Sequence, residues 1–163
     1  MSSVGNVRKV LDSGYVQRYH THPDLAGLQD LSQHQWRCAM IIMMLHPAPR
    51  PALIREALTH DVGEAATGDL PFQFKRDNPA LAMDMSEHEV EYRREIGMPD
   101  MILDDKSELW LKFADLAECV GFAYRKKPDL LRKAEWKSMI EEIYRRGEAL
   151  GIESRMIWGV MHA

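Results

Sequence analysis

The chain is poor in cysteine and has no basic tract and no long apolar run. Cys38 and Cys119 are the only cysteines in 163 residues. That is too few for a disulfide framework, and both fall in apolar helical stretches, which reads as reduced core thiols. No apolar run approaches the ~20 residues of a membrane-spanning helix. The start, Met1-Ser2-Ser3-Val4-Gly5-Asn6, lacks the apolar region of a secretory signal, so a cytoplasmic protein is expected. The net charge is −4, and without a Lys/Arg cluster a duplex nucleic-acid surface is not expected. A Gly-rich phosphate loop and a G-x-S-x-G elbow are both missing, which removes two common routes to phosphate and acyl chemistry. Strand-like alternation of β-branched residues is missing too.

What is present is helical periodicity. Hydrophobic residues make up 45% and charged residues 28% of the chain, the composition of a globular protein with a sizeable core. The spacing predicts an all-α bundle of about six to eight helices. With no repeats, low-complexity tracts or linkers, residues 1–163 read as one domain. A first helix is expected over Val4 to Ser13, ending at Gly14. A long loop, Tyr15 to Asp30, follows; loops of that length are often functional. Ser32-Gln33-His34-Gln35 looks like a capping box opening the second helix, which stops before Pro47. Pro49 and Pro51 suit the start of a third helix, with Leu53, Ala57, His60 and Glu64 on one face. Gly68-Asp69-Leu70-Pro71 breaks the pattern, and a short Phe72 to Lys75 segment comes next. Further helices are expected from Asn78-Pro79 to Ile96, from Leu109 to Tyr124 behind Asp104-Asp105, from Asp129 to Leu150, and in the tail Ile152 to Ala163.

Four residues on these helices share one chemistry. His60 and Asp61 are adjacent, His34 lies upstream and Asp115 downstream. His34 sits on the apolar stripe with Cys38, Ile41 and Leu45, where it is either a core histidine satisfied by a carbonyl or a metal ligand. Asp115 lies within Leu109 to Ala117, where a carboxylate needs either a salt bridge, with Lys112 the obvious partner, or a metal. One divalent ion shared by His34, His60, Asp61 and Asp115 meets the demands of all four. That donor set suits Mn²⁺, Fe²⁺, Co²⁺, Ni²⁺ or Zn²⁺ more than Ca²⁺. Glu64, one helical turn beyond His60, either faces the same cavity or is an exposed helix glutamate. Asp69 is either a turn aspartate or a site residue. The methionines Met40, Met43 and Met44, with Met139, Met156 and Met161, read as core or subunit interface.

The order His…His-Asp…Asp on consecutive helices resembles the HD-domain metal-dependent phosphohydrolases. The branch it is most similar to contains bacterial 5′-deoxynucleotidases and phage dATP triphosphohydrolases. Arg18, Ser32-Gln33-His34, His60-Asp61-Val62-Gly63-Glu64-Ala65-Ala66-Thr67-Gly68-Asp69-Leu70-Pro71, Lys75 and Lys112-Phe113-Ala114-Asp115 carry the resemblance. It implies a compact HD-type helical bundle and a divalent ion, with Co²⁺, Mn²⁺, Zn²⁺ and Mg²⁺ as candidates. It further implies that Glu64 activates or positions water with help from Asp69, and that Arg18, Lys75 and Lys112 contact phosphate. Tyr19, where those relatives typically carry Trp, would pack by the sugar. Thr21, where the adenine-specific phage enzymes carry an aliphatic residue, would meet the base.

The implied activity is hydrolysis of deoxynucleoside 5′-phosphates, favoured as a dATP-type triphosphohydrolase giving deoxynucleoside and triphosphate. A 5′-deoxynucleotidase releasing orthophosphate from monophosphates is the alternative, and a non-catalytic nucleotide sensor ranks below both. The partners implied are a small deoxynucleotide and further copies of the chain, in a bacterial or phage-infected cell, with no stable nucleic-acid or membrane binding.

Overall fold

The computed structural model describes residues 4–162, apart from the side chains of Phe72 and Gln73; Met1, Ser2, Ser3 and Ala163, at the outer ends of the expected terminal segments, lie outside it. Every regular element among the described residues is helical, and the only sheet-like pairing is an isolated antiparallel bridge between Gln17 and Asp30. In chain order the helices are α1 (Val4–Ser13), α2 (Leu31–Leu45), α3 (Pro51–Ala57), α4 (Glu64–Thr67), α5 (Phe72–Asp77), α6 (Pro79–Glu95), α7 (Asp105–Lys126), a 3₁₀ turn (Pro128–Arg132), α8 (Ala134–Ala149) and α9 (Ser154–Met161). Their contacts sort into two units, one made of the residues up to 33 with 59–100, the other of 34–58 with the residues from 101 on.

In the first unit α1 packs on α4, and α4 and α5 pack on α6. Gly63 explains how closely these elements approach. A Cβ there would meet the Cβ of Glu89 at 2.6 Å and its carbonyl oxygen at 2.8 Å, so any side chain would push the segment off α6. Arg93 of α6 is buried. It donates from Nε to the carbonyl of Met98 and from Nη1 to the carbonyl of His60, both at 3.0 Å, and pairs with Asp100. The long loop is anchored by Arg18 N–H donating to the Gln29 carbonyl at 3.0 Å and by Leu31 N–H donating to Val16 at 2.9 Å.

The second unit is built on α7, with α3, the 3₁₀ turn, α8 and α9 packed against it. Trp110, Phe113, Ala114, Ala117, Val120 and Phe122 are buried, as expected for the most apolar helix of the chain. Phe113 and Phe122 are almost wholly buried, and each such ring contributes about 1.5–3 kcal/mol of transfer free energy. At Gly147 a Cβ would lie 2.4 Å from Ile157 Cδ1 and 3.2 Å from the Phe113 ring, so α8 approaches both α9 and α7 closely. Asp104 caps α7 by accepting from the Ser107 N–H at 2.8 Å.

Three expectations about local structure change. The cap of α2 is Asp30, whose Oδ1 accepts from the Gln33 N–H at 2.9 Å and from the Ser32 hydroxyl at 2.7 Å. The capping box therefore starts two residues before Ser32, because a carboxylate is the stronger acceptor for the first-turn amides. The helix expected from Asp129 begins at Ala134, behind a separate 3₁₀ turn that follows Pro128. The third helix ends at Ala57 rather than running through Glu64, which bears directly on the site.

Candidate active site

Residues 58–63 form successive turns instead of helix. The N–H groups of Val62, Glu64, Ala65 and Ala66 donate to Thr59, Asp61, Val62 and Gly63, three residues back in each case. The i→i−3 pattern is tighter than an α-helix. Two features of the first unit hold it: Arg93 claims the His60 carbonyl, and Gly63 lies flat against Glu89. The helical-turn argument for pairing His60 with Glu64 therefore fails in its geometry, although both residues do sit in this part of the first unit.

His60 Nε2 and Asp61 Oδ2 are 3.3 Å apart, with side chains 12% and 23% exposed. Glu64 opens α4 and is buried. Its Oε1 lies 3.7 Å from Lys75 Nζ, while Oε2 is buried with no hydrogen-bond partner among the described residues. Burial pushes the Glu64 carboxyl up to about 9, with Asp61 and Asp69 adding to the rise and Lys75 and Arg18 opposing it. Burial also works against the charge on Lys75, yet Glu64, Glu89, Asp61 and Asp69 together hold it above the ordinary lysine value.

Asp69 follows Gly68, whose φ of +78° makes the turn. Its Oδ2 accepts from the Tyr19 N–H at 2.8 Å, so it ties down the loop rather than bonding only to its own turn. Tyr19 takes φ +56°, a left-handed conformation that costs a bulky residue of order 1–3 kcal/mol and that this bond helps to hold. Arg18 is buried, with its guanidinium carbon 5.2 Å from the centre of the Tyr19 ring. The first unit therefore brings together Arg18, Asp61, Glu64, Asp69 and Lys75, joined by His60 through Asp61 and by Tyr19 through Asp69. Thr21 is exposed on the same loop, outside this group.

The second unit holds the remaining residues. His34 is fully buried on α2. Its Nε2 lies 3.2 Å from Asp115 Oδ1, and its Nδ1 lies 2.7 Å from Glu118 Oε2. Asp115 and Glu118 are three residues apart on α7 and so share one helix face. A neutral imidazole donates from one nitrogen only. With Nδ1–H given to Glu118, Nε2 turns a lone pair toward a carboxylate at 3.2 Å, a juxtaposition that calls for a cation or a proton between them. His60 Nε2 likewise faces a carboxylate oxygen, Asp61 Oδ2. Both pairs fit a divalent metal.

Cys38 adds a thiol close by. Its Sγ is 3.6 Å from Nε2 and 3.8 Å from Nδ1 of His34. His34, Cys38 and Asp115 offer atoms within 4.8 Å of one another, so the thiol is a further potential metal ligand that sequence reasoning assigned to the core. Lys112 is exposed one turn before Asp115.

Sequence reasoning missed Glu118 and Arg93. For Glu118 the available signal was a charge inside an apolar helical stretch; Arg93, among Glu91, Arg94 and Glu95, carries no such signal. Glu118 stands among Ala117, Cys119 and Val120 and is 2% exposed, a position a carboxylate occupies only with partners. Its carboxylate fixes the tautomer and orientation of His34, as outer carboxylates do for ligating histidines.

A family model described as HD domain fits residues 15–120. No curated protein and no solved structure matches the chain. Among the described residues no helix is long and apolar enough to cross a membrane.

Proposed function

Because the chain belongs to the HD-domain family, whose members are generally metal-dependent phosphohydrolases, we propose that it hydrolyses deoxynucleoside 5′-phosphates. The favoured form of the reaction removes triphosphate from a dATP-type substrate. The observation that carries this reading is Glu64, a buried carboxyl with an unpartnered Oε2, set among Asp61, Asp69, Arg18 and Lys75. Such a group is costly as structure and useful as chemistry.

His34, His60, Asp61 and Asp115 are the residues that would hold the ion. When bound, a divalent metal supplies Lewis acidity toward a phosphoryl oxygen and lowers the pKa of water toward about 7. The chain's own groups do the rest. Glu64 orients the attacking water through Oε2 and takes its proton. It must be ionised to do so, and positive charge close to Asp61 offsets one of the causes that keep it neutral. Arg18 and Lys75 take phosphate oxygens, the first as a planar fork and the second as a point charge, and Lys112 adds a third cation. Asp69, through the Tyr19 N–H, fixes the loop that presents Arg18 to phosphate and Tyr19 to the sugar, with Thr21 left for the base.

A 5′-deoxynucleotidase is the second reading. It is favoured by the charge around Glu64, where Arg18 and Lys75 are the two opposing cations while Lys112 is exposed on α7; two cations suffice for a monophosphate. A panel of deoxynucleoside mono- and triphosphates with Mn²⁺, Co²⁺ or Mg²⁺ separates the readings by product. Triphosphate release supports the first, and orthophosphate released only from monophosphates sinks it.

A further inference from the structure

The second unit carries a groove of about 430 Å³ whose lining includes Trp36, Arg37, Met44, Glu118, Arg125 and Val160, from α2, α7 and α9. That volume falls within the roughly 300–1,000 Å³ of small-molecule sites. The charged lining consists of two guanidinium groups and one carboxylate, so the groove is net positive. Arg37 Nη1 and Arg125 Nη2 stand 3.7 and 3.8 Å from the same oxygen of Glu118, Oε1. These separations allow charge attraction but exceed the ~2.7–2.9 Å of a charge-assisted hydrogen bond. The two arginine side chains are about one-third exposed, whereas Glu118 is 1% exposed. Burial and the like charge of Arg37 hold Arg125 below the ordinary arginine value, despite Glu118, so this pair favours further negative charge. Trp36 and Met44, both well exposed, add an apolar wall. The other oxygen of Glu118 is the one that holds His34 Nδ1.

We propose that this groove is a second binding site, for a small anion carrying an alkyl or aromatic body, and that its occupant acts on His34 through Glu118. The arginines supply forked donors for a carboxylate or phosphate, and the apolar body lies along Trp36 and Met44. An anion that draws both guanidinium groups leaves Glu118 with its fuller charge on Nδ1, which makes His34 the stronger metal ligand. This second half rests on the reading of His34 as a ligand.

The test begins with metal-free full-length protein titrated with decanoate, decyl phosphate and decanol, read by tryptophan fluorescence. Saturable binding of the anions is expected, with the signal lost in Trp36→Phe. Affinity is expected to fall by about tenfold or more in Arg37→Gln and Arg125→Gln, and for decanol, the loss of one charge-assisted contact. The two anions distinguish a carboxylate ligand from a phosphate ligand. Equal binding of decanol, or binding indifferent to both arginines, overturns the site. So does sedimentation showing that a second copy covers Trp36 and must leave before the probe binds. Mn²⁺ affinity is then measured with and without saturating decanoate. Tightening of a few-fold, lost in Arg125→Gln, is expected; no change overturns the action on His34. A probe-free protein that takes no Mn²⁺ overturns the metal reading and that action with it, and the fluorescence result tells this apart from failure of the groove.

Discussion

Glu64→Gln in the metal-free protein should remove most of a stability loss that the wild type suffers as pH rises. The Glu64 carboxyl is 4% exposed and held up to about 9 in the fold, against an ordinary value of roughly 4.3 for an unfolded glutamate. Between those values the folded chain binds one proton that the unfolded chain has released. Stability from this group is therefore complete below about 4.3, falls by about 1.4 kcal/mol per pH unit, and is gone above about 9. From pH 6 to pH 8 that amounts to about 3 kcal/mol, or roughly 6–12 °C in Tm for a chain of this size. Glutamine fills the same volume, stays neutral, and contributes no such slope. Chelator-treated wild type and variant melted by circular dichroism at pH 6, 7 and 8 give the comparison, since every other titrating group is shared. Parallel Tm-versus-pH lines would falsify the assignment of Glu64 as a buried neutral acid. Saturating Mn²⁺ or Zn²⁺ should flatten the wild-type line, because added positive charge near Asp61 lowers the Glu64 value.

Glu118→Gln should weaken metal binding by about 10–100-fold while leaving the fold intact, measured by titration calorimetry; an affinity within threefold of wild type would remove the carboxylate from its role in orienting His34. Gly63→Ala should destabilise by about 1–3 kcal/mol, the cost of overpacking, because the new methyl meets Glu89 at 2.6–2.9 Å; an unchanged urea midpoint would show that α6 yields at no cost. Glu64→Ala should abolish turnover yet keep metal and nucleotide binding, with unchanged turnover taking Glu64 out of the mechanism.

The helices were largely legible where local chemistry decides their ends. Val4 to Ser13 runs to Gly14 as the stop signal implies, and the helix behind Pro79 ends within a residue of its expected limit. Asp104 caps α7 from a position that the sequence marks. The failure at residues 58–63 has a different origin. His60 and Glu64 satisfy helical spacing, and no proline or exposed glycine run interrupts them. A guanidinium group from α6, 33 positions away in the chain, takes the His60 carbonyl that a continuing helix would offer to the Glu64 N–H. A competitor so distant leaves no mark in the local pattern.

The same reasoning sorts the site residues. His34 and Asp115 were readable because a histidine and a carboxylate on apolar stripes each demand a partner, and they prove to be 3.2 Å apart. Glu118, three residues beyond the candidate ligand Asp115, poses the same demand but is easily taken for a solvated charge, while Arg93 stands among Glu91, Arg94 and Glu95, where the sequence marks no apolar stripe. Yet Glu118 is the more buried of the two carboxylates at His34, 1% exposed against 27% for Asp115. The difference fits the tasks proposed for them, a metal ligand and a positioning group. A carboxylate that shares an open coordination position must stay reachable, whereas one that fixes an imidazole works best where water cannot compete for the N–H. On that proposal burial separates the group that faces the chemistry from the group that positions it, a distinction that helix spacing alone cannot draw.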